Sequence, residues 1–404
     1  MATAAAIDSR IERVAPVSRA ARIARIEIFD TFQSAEAVWR GFDGDRIATP
    51  YQRYDFLSLW QRHVGDHLGL KPRIVVAYDD AGAPLALLPL VVERAYGLSV
   101  ACFPGGKHVT FNMPIWRGDF ADQATAETMQ ALVRMIAAAD PAIDALALMR
   151  QPQCWNGLQN PLTLLGGQPS VNDCPLLVID PRAGPSTRIS NSFRRRLNHK
   201  ERKLNANSGF RYTVARTADD ARRLLDAFFA VKPIRLAQQG LPNVFAEPGN
   251  EQFLREVAEI SLKASRPGLE IHALECDDEV ISVFAGVADD KRFSMMFNTY
   301  TLSANARYSP GLILIRNIID HYASRGFTAL DLGIGADEYK LLFCKQREPV
   351  LDSFVALNSR GRALALWLSL EAYCKRFVKR SHRLTRMALW LRRTLGRTDT
   401  AIQV

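Results

Sequence analysis

Apolar residues recur with a helical period over residues 217–231, TADDARRLLDAFFAV, behind a threonine suited to capping a helix start. A second helical stretch follows in GNEQFLREVAEISLKAS (249–265), where Phe253, Leu254, Val257, Ile260 and Leu262 largely share one face. The pattern then becomes that of strands. LEIHALEC and EVISVFAGVAD read as two strands joined by an Asp277-Asp278 turn, and RFSMMFNTYT reads as a third. YSPGLILIRNIIDHYASRG predicts a helix with Pro310 in its first turn and Gly326 at its end. FTALDLG predicts a last apolar strand.

The first half repeats this order. Helices are predicted over 31–42 and 54–65, and strand, Asp79-Asp80 turn and strand over 73–92. A strand at LSVACFPG, a helix at QATAETMQALVRMIAAA and a strand at IDALALM (143–149) complete it. The two Asp-Asp turns lie 198 residues apart, and ALAL (145–148) matches ALDL (329–332) at an offset of 184. A duplicated α/β (α+β) unit is the simplest account, with mixed sheets flanked by helices. The expected domains are 26–183 and 184–358, between a disordered lead-in (1–25) and a helical tail (359–404). The copies differ where chemistry would care: Ala147 stands where the second copy has Asp331, and Ser309-Pro310-Gly311 has no clear counterpart near FADQATAE. The second copy is therefore the expected working domain, and the first a degenerate partner shaping a cleft between them.

Composition narrows the class. At 404 residues, 48% apolar and 23% charged, the chain suits two soluble globular domains. It has no apolar run of 18 residues, and its first 24 residues lack the apolar core of a secretory signal. Six scattered cysteines with no CxxC pair suit reduced thiols in a cytoplasmic protein, and no metal site is expected from the dispersed histidines. The net charge of +10 is local: residues 187–204 carry net +6 and residues 361–397 net +9, so the rest is acidic by 5.

Four segments carry candidate chemistry. In NARYSPGLILIRNII, Ser309 is placed to cap, Pro310 presets a first helical turn, and Gly311 lets a ligand approach the backbone. Free N–H groups and the helix dipole there favour phosphate, although the same residues also read as an ordinary cap. DLGIGADEYKLLF fits neither a dinucleotide fingerprint nor a P-loop. It bundles Asp331, Tyr339 and Lys340 at a strand end around the turn glycines Gly333 and Gly335, or it is a plain strand–loop–helix. RISNSFRRRLNHKERKL predicts a helix with Phe193, Leu197 and Leu204 as its seam. Its cations, Arg195 and Arg196 among them, make either a solvated face or a platform for an anion. In the tail, Trp367, Leu370, Cys374, Phe377, Leu384, Ala388, Leu391 and Leu395 recur at helical spacing among arginines and lysines. That pattern suits an anionic membrane surface or an acidic partner, or packing back onto the protein.

Pro310, Gly311, Asp331, Gly335, Tyr339, Lys340 and Phe343, with the basic helix at Arg194, Arg195, Arg196 and Leu204, resemble the signature of CelD/BcsL-type acetyltransferases. These belong to the GNAT superfamily and are related to the Fem-type tandem enzymes. The resemblance covers about residues 185–350 and is only architectural over 28–180. It implies two tandem GNAT-like domains and an acyl-CoA donor, acetyl-CoA first. It also implies transfer to an amine or hydroxyl of a sugar, polysaccharide precursor or lipid, with cellulose or exopolysaccharide biosynthesis as the setting. Arg307-Tyr308-Ser309-Pro310-Gly311 occupies the place of the family's pyrophosphate loop but departs from its [QR]xxGxG/A pattern. Direct attack on a thioester needs a base, an oxyanion donor and an acid for the thiolate, and the candidates are Asp331, Lys340 and Tyr339 respectively. Two other readings stand beside this one. One is a Fem-like transferase using aminoacyl-tRNA, with the basic helix as tRNA platform. The other is a non-catalytic subunit recruited to a membrane complex through 361–397.

Overall fold

The computed structural model describes residues 22–42, 46–264, 268–335 and 337–380. Most of the expected lead-in, 1–21, and the tail beyond Arg380 lie outside the described residues. Arg25 already opens a strand, Arg25–Phe29.

The two Asp-Asp turns form as predicted. Strands Lys71–Tyr78 and Pro84–Ala95 pair antiparallel, and Asp79 Oδ1 accepts the N–H groups of Ala81 and Ala83 at 3.0 and 2.8 Å. Strands Glu270–Cys276 and Glu279–Ala288 pair likewise around Asp277-Asp278. Both hairpins are almost wholly buried, which is why their apolar runs hardly alternate.

Each hairpin grows into a sheet by the same steps. In the first sheet the order is 25–29, 71–78, 84–95, 98–102, 145–152, 350–356, with the short strand 168–169 at its end. In the second it is 211–214, 270–276, 279–288, 292–300, 329–331, 174–178, 346–348. One pair in this central run of each sheet is parallel. Cys102 faces Ala147 in the first and Ser294 faces Asp331 in the second, so the ALAL/ALDL match is a match of register as well as of letters. The mixed α/β architecture is thus built twice.

The halves also trade strands. Cys174–Val178 lies beside Ala329–Asp331 in the second sheet, and Val350–Ala356 lies beside Ala145–Pro152 in the first. A linear division at 183/184 therefore cuts the chain but not the sheets. Local periodicity says that a segment is a strand; it does not say which neighbour the strand pairs with.

Three helices depart from their expected extents. The 54–65 helix is α-helical over Tyr54–Trp60 and then widens into a π turn, Gln61–Gly65. The helix beginning at Ala218 runs past Val231, through Pro233, to Gln238. Helix Ser359–Arg380 packs back on the first sheet through Gly361, Leu364, Ala365 and Leu368. Trp367, Leu370, Cys374 and Phe377 of the expected stripe face outward, and Leu384, Ala388, Leu391 and Leu395 lie outside the described residues. No described helix is long and apolar enough to cross a membrane.

The seating of this last helix depends on one glycine. A Cβ at Gly361 would stand 1.7 Å from the carbonyl oxygen of Asp144, whose side chain accepts from Asn358 Nδ2 at 3.0 Å. Gly361→Ala should therefore cost about 1–3 kcal/mol through forced displacement, read as a lowered urea midpoint at unchanged m-value. An unchanged midpoint would mean that the helix is not seated as described.

Candidate active site

Asp331 ends its strand with no exposed surface. Left alone there, a carboxylate would be neutral or strongly destabilising, so its partners decide its state. Arg292 Nε donates to Asp331 Oδ2 at 2.9 Å, Ser294 Oγ donates to the same oxygen at 2.6 Å, and the Gly333 N–H donates to Oδ1 at 3.0 Å. Arg292 also donates from Nη1 to Glu348 Oε2 at 2.8 Å. Burial by itself would lower the pKa of this guanidinium, but Asp331 and Glu348 outweigh it and raise the pKa. The first half supplies the walls: the Arg292 guanidinium carbon lies 4.6 Å from the ring centre of Phe111 and 4.5 Å from that of Trp155. Burial and the nearby Asp331 also push the phenol of Tyr51, from the first half, above its usual range.

The loop after Asp331 turns on two glycines at positive φ, Gly333 (71°) and Gly335 (105°). A Cβ at Gly333 would crowd Met295 O at 3.2 Å. Lys340 is 2% exposed and clasps this loop: its Nζ donates to Ile334 O at 2.8 Å and Gly333 O at 3.2 Å, with Asp337 Oδ2 at 3.3 Å. Phe343 anchors the following short helix against Phe193, ring centres 5.2 Å apart. Tyr339 points to strand 292–300, where its hydroxyl accepts from Asn298 Nδ2 at 3.3 Å, and burial raises its pKa.

Past Ser294 and Asp331 the parallel pairing stops, while strand Arg292–Tyr300 continues alone on that side. Helix 218–238 covers part of the exposed edge. Lys232 Nζ donates to Asn298 O at 2.9 Å; Arg235 donates to Tyr300 O at 2.6 Å and Thr301 O at 2.5 Å and stacks over the Tyr300 ring. Burial pushes the Lys232 ammonium down to about 8, against the opposing pull of Asp337. Sequence reasoning missed both cations because they fall after the expected helix end. The signal was KPIR inside an apolar helix, where a solvated face would not put them.

Helix Pro310–Ser324 begins beside the same strand, since a Cβ on Gly311 would touch Tyr300 Cδ1 at 3.7 Å and nothing else within 4 Å. Ser309 does not cap as expected. Its backbone is left-handed (φ 57°), which turns the side chain from the helix, and its Oγ instead accepts from Lys200 Nζ at 2.7 Å. Pro310 occupies the first turn as predicted, and the exposed Arg307 stacks over Tyr308, 4.8 Å to the ring centre.

Helix Asn191–Leu204 divides its cations. Arg194 pairs with Asp320 at 2.7 Å and Lys200 reaches Ser309, whereas Arg195 and Arg196 are exposed. Arg196 lines a separate hollow with Ser190, Phe193, Leu342 and Lys345. The structure therefore gathers Asp331, Gly333, Gly335, Tyr339, Lys340 and Phe343 in one place, with Arg307–Gly311 adjoining through Tyr300. Arg195 and Arg196 sit on the N-terminal half of their helix, away from the Lys200 contact. His63 and His67 fall four residues apart, but His63 Nε2 bonds Glu256 at 2.5 Å. No described group of three His, Cys, Asp or Glu is arranged to hold a metal.

Residues 191–341 match the family model of the acetyltransferase (GNAT) domain. The match runs from the basic helix through the Ser309 start to the Asp331 loop, so this similarity falls on the second unit. No curated protein matches the chain. Among solved structures, FemX is 9% identical with a TM-score of 0.52, covering 81% of this chain and 100% of its own. A conserved protein of unknown function from Bacteroides thetaiotaomicron VPI-5482 is 15% identical with a TM-score of 0.50, covering 82% and 100%. A tandem GNAT protein from the clavulanic acid biosynthesis pathway is 11% identical with a TM-score of 0.40, covering 83% and 99%. At such identities the first two likenesses speak for the fold, across both halves.

Removing one member of the Arg292–Asp331 pair leaves a buried guanidinium with Glu348 as its remaining carboxylate. Asp331→Asn should lower unfolding free energy by about 3–5 kcal/mol, and Ser294→Ala by about 1 kcal/mol, in denaturant titrations. Equal, small effects of the two would show that the pair does not organise the strand end.

Proposed function

We propose that the chain is a GNAT-type acyltransferase, carrying an acyl group from acyl-CoA, acetyl-CoA first, to an amine or hydroxyl of a sugar, polysaccharide precursor or lipid. The observation that carries this reading is that the same register is used twice and left open once. After Cys102 the first half fills its own divergence: Asn112 N donates to Arg150 O at 2.9 Å, Arg150 to Val109 O at 2.6 Å, and Phe103, Val109, Phe111 and Met113 are buried there. After Ser294 the second half instead presents a strand edge met by Lys232 and Arg235, a helix start and two groups suited to proton transfer. The CelD/BcsL resemblance suggests cellulose or exopolysaccharide assembly as the setting.

A phosphate-bearing donor fits the Ser309 corner. The first-turn N–H of Gly311, the dipole of a fifteen-residue helix, Lys200 and Arg307 all favour an anion. CoA supplies the thioester. Of the candidate residues, Asp331 and Lys340 have their polar atoms committed to the loop, so we assign them to positioning it. Tyr339 then protonates the departing thiolate, and Lys232, joined to Tyr339 through Asn298, takes the proton of the attacking amine or hydroxyl. The bookkeeping balances: the nucleophile bonds to the carbonyl carbon, the C–S bond breaks, one proton reaches Lys232 and one leaves Tyr339.

The fold shared with FemX and the exposed Arg195, Arg196, Arg202 and Lys203 support a second reading, an aminoacyl-tRNA donor held on that basic face. Its binding would fall steeply with salt.

A lysine base works when neutral, so with acetyl-CoA and an acceptor kcat/KM should rise with pH and level off above about 8. Lys232→Met should abolish that limb and lower the rate by roughly 100-fold or more, and Tyr339→Phe should lower kcat. A full rate and intact limb in Lys232→Met would remove the base. Absence of any thermal shift with acetyl-CoA, CoA or long-chain acyl-CoA would remove the donor.

A further inference from the structure

Helix Ser359–Arg380 has two apolar faces, and only one is used. Gly361, Leu364, Ala365 and Leu368 pack on the first sheet. Leu366, Leu370, Tyr373 and Phe377, spaced four, three and four apart, form a stripe on the other side, and Trp367 extends it. These five are 73, 52, 61, 61 and 52% exposed, respectively. Tyr96, 58% exposed on the hairpin turn of the first sheet, stands edge-on to Trp367 with ring centres 6.1 Å apart. The patch is thus built from two elements and is contiguous, unlike apolar side chains exposed singly.

Charge tells what would cover it. The helix carries Arg360, Arg362, Lys375, Arg376, Lys379 and Arg380; Arg360 pairs with Asp144, Lys375 with Glu371 and Arg376 with Asp173, while Arg362 and Arg380 are exposed, and residues 381–404 add five arginines against Asp399. A second copy of this helix, or the basic chain after it, would bring like charge against like. An anionic bilayer surface offers the complement: acyl boundary for Leu366, Leu370 and Phe377, interfacial depth for Trp367, Tyr373 and Tyr96, and phosphates for the arginines.

We propose that this outer face is a membrane-docking surface for anionic lipid, with the helix lying in the plane of the interface while its inner face stays on the protein. The proposal stands apart from the identity of the acyl donor and acceptor.

The test uses the whole chain with vesicles of phosphatidylcholine alone and of phosphatidylcholine with phosphatidylserine. Co-sedimentation should occur with the anionic vesicles and weaken as salt rises. The variant Leu366→Ser/Leu370→Ser/Phe377→Ser should bind them more than roughly tenfold less. It should keep its thermal midpoint and its response to acyl-CoA, because none of these side chains packs inward. Leu366→Glu alone, at the most exposed position, should act in the same direction. Equal binding by wild type and variants would overturn the proposal. So would no vesicle binding accompanied by a dimer in sedimentation velocity that the variant loses, which would assign the face to a second copy. No vesicle binding and an unchanged monomer would overturn it as well.

Discussion

A buried ion pair between Arg292 and Asp331 is the constraint on which the site depends. Neither charge would be stable in that position alone, and the pair lies where a parallel strand ends and a loop must turn away from the sheet. The carboxylate fixes the first N–H of the loop at Gly333, and the ammonium of Lys340 fixes the carbonyls of Gly333 and Ile334. Both signs of charge are thus committed to the geometry of one turn. Tyr339 then accepts from Asn298, which ties the loop's helix to the neighbouring strand. The guanidinium also lies over Phe111 and Trp155, so the strand end is shaped by both halves of the chain.

The duplication shows what that pair is for. The first half has the same strand order and the same parallel register, but Ala147 stands at the position of Asp331 and Cys102 at that of Ser294. Without charges to hold a turn open, strand 145–152 runs on, and the segment after Cys102 packs Phe111 and Met113 beside it. Phe111 becomes a wall for Arg292. The half without the ion pair thus lends an aromatic wall to the half that has it.

Much of this could be read in the letters. The repeated order of elements, the ALAL/ALDL match and the cluster of Asp331, Tyr339 and Lys340 depend on local periodicity and spacing, and these are written in consecutive residues. What could not be read depends on partners distant in the chain. Strands Cys174–Val178 and Val350–Ala356 look like any short apolar strand, and nothing within them names the opposite sheet as their place. Lys340 reads as an oxyanion donor or a solvated cation until the loop carbonyls are seen around it. Ser309 reads as a cap until Lys200, 109 residues earlier, takes its hydroxyl. Lys232 was hidden by Pro233, which argued for a helix end that the packing of the helix on strands 279–288 and 292–300 overrode.

Strand exchange also limits how the molecule can move. To separate the halves as rigid bodies, the pairing of 174–178 with 329–331 and of 350–356 with 145–152 would have to break, together with the Arg292 contacts to Phe111 and Trp155. A hinge between the domains is therefore an expensive way to admit a substrate. Helix 218–238 meets the strand edge through Lys232 and Arg235 on the carbonyls of Asn298, Tyr300 and Thr301, and is itself seated by the buried Leu224, Leu225 and Phe228. An extended donor with amide groups would need those same carbonyls. The group proposed to accept a proton thus stands on a helix held both by that core and by the strand edge.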